Sequence, residues 1–243
     1  MRPDVADLQA FYASRHGQLA RRLILTQIRR LWPRLGGMVV VGLGYAMPFL
    51  VALDEAERVL ALQLYGTGVP AWPEGERCRL ATVAEDQLPL PDGSVDRLLL
   101  VHALETSPRA RRLMREAWRV LADGGRLIAL VPNRRGLWCW SERTPFGHGQ
   151  PFSAGQLERT MRSHLFTPVA TAGALYLPPT ERRLLLRFAI PLERLGVRLA
   201  PGLAGVNLIE AEKQILVPTP LAASARASQR RAYNPMPAGA VPA

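Results

Sequence analysis

Apolar residues fall in short runs separated by polar turns. Met38 to Leu43 (MVVVGL) is a β-branched run closing on glycines, the pattern of a strand buried on both faces of a parallel sheet. Arg58 to Leu64 (RVLALQL), after a short helix, and Arg79 to Val83 (RLATV) predict the second and third strands. The turn Pro91-Asp92-Gly93-Ser94 introduces a fourth, Val95 to Val101 (VDRLLLV), and Arg126 to Val131 (RLIALV) a fifth. Between these two strands, Ser107-Pro108 reads as an N-cap with a first-turn proline. The apolar stripe Leu113, Ala117, Val120 and Leu121 then predicts a helix ending at Gly124-Gly125.

Phe152-Ser153-x-x-Gln156-Leu157 combines a capping box with a hydrophobic staple, and Leu157, Met161 and Leu165 continue one helical face. Leu208 to Val217 alternates through Glu210, Glu212 and Gln214 and predicts a late strand. From Pro218 onward periodicity stops, so the tail is expected to be disordered. Alternating strands and helices with short connections make an α/β fold, a doubly wound, mostly parallel sheet covered by helices on both faces. Three segments are expected: helical 1–35, an α/β domain over 36–217 and the tail 218–243.

The acid-free stretch Arg15 to Arg34 places Leu19, Leu23, Ile24, Ile28, Leu31 and Trp32 opposite Arg21, Arg22, Arg29 and Arg30. Two readings follow, a helix packed on the domain it precedes or a weak contact with an anionic membrane surface. The first is favoured. Met38 to Leu53 is the longest apolar run, too short for a span and broken by Gly42, Gly44 and Pro48. The N-terminus has no signal-peptide core.

Composition narrows the partners. The chain of 243 residues carries a net charge of +11, which invites a nucleic-acid reading, yet Lys213 is the sole lysine among 31 basic residues. Arginine in an Ala-, Leu- and Pro-rich chain reflects a GC-rich, bacterial-like composition as well as phosphate contacts. With no helix-turn-helix, zinc or aromatic RNA-binding signature, a nucleic-acid partner is not expected. Cys78 and Cys139 are too few for a disulfide framework, and the expected compartment is the cytoplasm. His148 and His164 lack metal-ligand spacing with acids, so no metal is expected.

Ligands of such sheets bind beyond the carboxyl ends of the strands. After the first strand comes Gly42-Leu43-Gly44-Tyr45-Ala46, where glycine permits a sharp turn and close ligand approach. Together with VVVGLG at 39–44, LPLPDGSVD at 88–96 and RVLxxGGRL at 119–127, the order resembles the class I S-adenosylmethionine-dependent methyltransferases, small-molecule type. The likeness covers about residues 36–135. It implies a seven-stranded sheet whose last strand is antiparallel. S-adenosyl-L-methionine would lie over the first two strands and a small-molecule acceptor above the fourth and fifth.

The resemblance places Gly42, Leu43, Gly44, Tyr45 and Gln63 at the cofactor, together with Glu85, Asp86 and Gln87. It also exposes departures. Family members carry an acid two residues before the first motif glycine, here Val40, and one at the end of the second strand, here Gln63. The third acidic position falls on Ala84, with Glu85 or Asp86 as neighbouring substitutes. Methyl transfer needs alignment and exclusion of water, with a general base only for a hydroxyl or amine acceptor. His102, just past the fourth strand and followed by Glu105, is the catalytic candidate; Tyr12, His16 and Asn133 are the substrate-side candidates. Because of the missing acids, a catalytically silent binding or partner protein is the alternative function.

Overall fold

In the computed structural model, residues 3–65, 72–73, 78–180 and 188–215 are described. Seven strands form one sheet: β1 (Val39–Gly44), β2 (Arg58–Leu64), β3 (Leu80–Val83), β4 (Val95–Val101), β5 (Leu121–Pro132), β6 (Phe166–Ala174) and β7 (Val206–Lys213). Their order is β3-β2-β1-β4-β5-β7-β6. β1 to β5 pair in parallel, and β7 runs antiparallel to both β5 and β6. The expected doubly wound architecture is therefore present, with the strand order reversing between β1 and β4, the position at whose carboxyl ends such sheets bind ligands.

Alternation along the strands divides the core in two. Val40, Val59, Ala61, Leu99, Val101, Ile128, Leu130, Val206 and Leu208 face one helical layer. It contains α1 (Val5–Ala13), α2 (Arg15–Leu31), α3 (Met47–Leu50) and α6 (Ala189–Leu199). Val41, Leu43, Leu62, Leu98, Leu100, Leu127 and Ala129 face the other layer, with α4 (Ala110–Val120) and α5 (Ala154–Ser163). The expected helix over Arg15–Arg34 packs inward: Leu23, Ile24, Ile28 and Trp32 are buried in the same core as the strands. Two of its arginines reach neighbouring backbone, Arg21 donating to the Pro48 carbonyl at 2.6 Å and Arg29 to the Ala52 carbonyl and the Glu55 carboxylate.

Local chemistry moves some boundaries. The helix expected to start at Ser107 starts at Ala110 with no side-chain cap, because the Ser107 hydroxyl donates to Glu85 and accepts from the Arg109 amide. It ends at Val120 rather than at Gly124-Gly125, since Leu121 pairs with Val95 and begins β5. The late strand closes at Lys213 instead of Val217, and the sole lysine is buried there, donating to the Leu121 carbonyl at 2.6 Å and lying 4.3 Å over Trp118. At Ser153 the capping box forms as expected. Sequence periodicity gave no sign of β6 or α6. The tail from Pro218 lies outside the described residues.

Arg119 explains why LPLPDG and RVL occur as a pair. It donates to the Leu88 and Leu90 carbonyls, each at 2.9 Å, and to the carboxylates of Glu116 and Asp92. Glu116 in turn accepts from the Leu88 amide at 2.8 Å. The guanidinium thus fastens the loop entering β4 to the end of α4, and Glu116 is held below the usual carboxylate range chiefly by its hydrogen bond to Arg119. Arg119→Met leaves two loop carbonyls and two carboxylates without this donor, an expected loss of about 2–4 kcal/mol. Urea unfolding measures it, and a loss below about 1 kcal/mol would show that water replaces the clamp.

Candidate functional site

The carboxyl edge of the sheet gathers most of the expected residues around the β1 and β4 termini. Gly44 ends β1 in register with Val101, at φ +85°, and the Tyr45 amide donates to the Val101 carbonyl at 2.8 Å. A Cβ on Gly44 would lie 2.2 Å from that carbonyl oxygen, and one on Gly42 would lie 2.5 Å from the Ala46 Cβ. Both glycines are therefore required by packing of the chain itself, which accounts for the sharp turn expected there without a ligand. The Leu43 side chain belongs to the opposite core layer, so only its backbone faces the turn.

Immediately beyond β4, His102 adopts φ +50°, a left-handed conformation uncommon for a residue with a side chain. Its ring joins two other groups. The Tyr12 hydroxyl lies 3.0 Å from Nε2, and Nδ1 lies 3.2 Å from Glu105 Oε1. The His102 and Glu105 side chains are 2% and 1% exposed, so these two groups are shielded from bulk solvent behind Tyr12. A carboxylate accepts the Nδ1 proton, which leaves Nε2 to accept from the Tyr12 hydroxyl. Burial first, then the proximity of Tyr45 and of Glu105, raises the Tyr12 pKa well above the ordinary phenol value, consistent with a protonated donor. The second Glu105 oxygen, Oε2, is buried with no hydrogen-bond partner among the described residues.

Aromatic rings wall this centre. Tyr45 stacks on Tyr12 with centroids 5.7 Å apart, Phe49 meets Tyr12 edge-on, and Phe146 lies 5.1 Å from the His102 ring. His16 is buried against Trp138, with ring centroids 4.7 Å apart, so it stands behind the wall rather than beside His102. Trp138 and Phe146 come from single 3-10 turns, Leu137–Trp140 and Pro145–Gly147, too short for periodicity to reveal; their only sequence signal was their bulk in a turn-rich stretch.

The other expected residues divide into three positions. Gln63 is 2% exposed near the end of β2, one residue before Leu64 and in register with Thr82. Glu85 is buried and accepts from the Ser107 hydroxyl at 2.8 Å, whereas Asp86 pairs on the surface with Arg109 and Arg112. Gln87 closes a one-turn bridge with Ala84. Asn133, expected to face substrate, turns its amide nitrogen to the Gly202 and Ala204 carbonyls and its Oδ1 to the Arg135 amide, because the loop before β7 needs donors there. Among the described residues, no cluster of three or more His, Cys, Asp or Glu side chains could hold a metal.

Comparison with known proteins agrees with this geometry. Residues 39–129 match the methyltransferase domain family. A ubiquinone/menaquinone biosynthesis C-methyltransferase of Methylobacterium nodulans is 44% identical over 45 residues, 18% of either chain, so the match spans under a fifth of that relative's length. A Thermotoga maritima methyltransferase structure, described as a possible histamine N-methyltransferase, superposes with a TM-score of 0.62 at 19% identity, over 86% of this chain and 96% of that one. The 1,6-didemethyltoxoflavin-N1-methyltransferase of Burkholderia thailandensis, bound to 1,6-didemethyltoxoflavin and S-adenosylhomocysteine, gives 0.53 at 18% identity over 87% and 88%. The fold is that of these S-adenosylmethionine-dependent methyltransferase structures, and residues 39–129 match the methyltransferase domain model.

Burial also raises the Tyr45 pKa from 10.0 to about 12. Between those values the unfolded chain releases a proton that the folded chain keeps, so stability falls as pH rises from about 10 to about 12. Ultraviolet titration should show tyrosines ionising near pH 12, fewer by one in Tyr45→Phe. Ionisation of every tyrosine near pH 10 in the folded protein would contradict the closed aromatic wall.

Proposed function

We propose that the protein transfers a methyl group from S-adenosylmethionine to a small molecule, with Tyr12, His102 and Glu105 handling the acceptor's proton. The observation that carries this reading is the buried Tyr12–His102–Glu105 chain beside the β1 turn. The donor set at the strand ends suits an adenosyl group: the Gln63 carboxamide offers a donor and an acceptor to ribose hydroxyls, and Glu85 a carboxylate nearer the base. Gln63, Glu85 and the backbone of Gly42 to Tyr45 would hold the cofactor, whose sulfonium supplies the electrophilic methyl group.

The chain's own residues then act on the acceptor. An acceptor hydroxyl or amine gives its proton to the Tyr12 oxygen as Tyr12 passes its own to His102 Nε2. Glu105 stabilises the imidazolium that results. Because the phenol exchanges one proton for another, free tyrosinate never forms, in keeping with its raised pKa. The rings of Tyr45, Phe49 and Phe146 exclude water and suit a small, partly apolar acceptor better than a polymer.

Calorimetric titration of the full chain with S-adenosylmethionine and S-adenosylhomocysteine tests the reading. Micromolar binding is expected, and Gln63→Asp should tighten it about fivefold by replacing a neutral hydrogen bond with a charged one. Absence of heat at millimolar cofactor, with the fold intact, would favour the silent binding protein instead. Against phenol and amine acceptors, His102→Ala should slow transfer on the order of a hundredfold and leave cofactor affinity unchanged.

A further inference from the structure

The proposed chemistry leaves unused the outer surface formed by α2 and α6. α6 buries Ala189 and Glu193, and the Glu193 carboxylate accepts from the Leu175 and Tyr176 amides at 2.7 and 2.8 Å. Its remaining face is open. Ile190, Leu195, Leu199 and nearby Leu203 are 47%, 52%, 73% and 58% exposed, more aliphatic surface than a short helix needs to leave in water. Arg194 and Arg198 lie between these residues along the same face, and Arg22 and Arg30 of α2 line the opposite wall of a groove of about 880 Å³. None of the four arginines has an acidic partner among the described residues, in contrast to Arg29, Arg119 and Arg126. Glu193, the acid among the described residues that line the groove, accepts from backbone amides and pairs with none of the four.

We infer that this α2–α6 face docks on an anionic lipid bilayer, with the aliphatic side chains entering the acyl boundary and the arginines meeting lipid phosphates. Charge complementarity selects the occupant: exposed leucine interleaved with unpaired arginine suits a surface that is apolar inside and anionic at its rim. Nucleic acid would meet the arginines but give Leu195 and Leu199 nothing to stack on. Among the described residues no helix is long and apolar enough to cross a membrane, so the contact is peripheral. The face also borders the carboxyl edge of the sheet, because Leu203 belongs to the loop whose Gly202 and Ala204 carbonyls accept from Asn133 at the end of β5. The contact thus relocates the membrane reading of the Arg15–Arg34 stretch, whose apolar face is consumed by the core, to arginines left over from it and to a helix that sequence periodicity did not reveal.

Sedimentation with phosphatidylglycerol–phosphatidylcholine vesicles, against phosphatidylcholine alone, tests the proposal on the full chain. Binding to the anionic vesicles only is expected. Arg194→Gln with Arg198→Gln should lower partitioning about twenty-fivefold, from roughly fivefold per arginine near an anionic surface. Leu195→Ser with Leu199→Ser should lower it by about tenfold or more. Arg111→Gln with Arg115→Gln, the same charge change on α4 across the sheet, should alter it less than about threefold. All these residues are exposed, and thermal unfolding of each variant verifies that the fold survives. The proposal is overturned by no binding to anionic vesicles, by equal loss in the α4 variant, by no loss in the serine variant, or by a dimer in vesicle-free buffer that the serine variant abolishes.

Discussion

The carboxyl edge of the sheet depends on one buried set of hydrogen bonds, Tyr12 to His102 to Glu105. It joins residues 90 positions apart in sequence, an N-terminal helix and the end of a central strand. Without the Tyr12 hydroxyl, His102 Nε2 would be a buried acceptor lacking a donor; without Glu105, the left-handed His102 would lose the group that fixes its tautomer. Tyr12 in turn carries the rings of Tyr45, Phe49 and Phe11. The first helix is therefore part of the site's wall rather than an appendage to the sheet.

Arginine does different work on the two sides of this arrangement. Arg119 donates to loop carbonyls, Arg21 to the Pro48 carbonyl of α3, and Arg126 of β5 meets Glu210 and Glu212 of β7 across the antiparallel pair. Such residues use planar, multi-donor guanidinium groups where lysine could satisfy fewer acceptors. Among the described residues, Arg22, Arg194 and Arg198 make no such contact, and they give the α2–α6 face its charge. The composition that looked uniform in sequence is thus divided between structural clamps and a surface.

Much of the fold was legible because buried parallel strands must be continuously apolar and glycine must mark their sharp exits, as at Val39 to Gly44. The capping box at Ser153 was equally plain. β6 was not, since FTPVATAGA alternates small and polar residues on a sheet edge and carries a proline. α4 began later than its serine suggested because Glu85, distant in sequence, captures that hydroxyl. At the site, position after a strand was enough to single out His102, and the i, i+3 spacing paired it with Glu105. The link to Tyr12 depends on how α1 folds back over β4, which no local pattern encodes. Asn133 shows the converse: its place after β5 is a site position, yet the needs of a neighbouring loop decide where its amide points.

The central claim is that Tyr12, His102 and Glu105 act as one unit. A double-mutant cycle on Tyr12→Phe and Glu105→Gln, read by urea unfolding, tests it directly because both residues hydrogen-bond to the His102 ring. The account predicts a coupling energy of about 1 kcal/mol or more. Additive losses, within about 0.3 kcal/mol, would contradict it and reduce the three side chains to independent contacts.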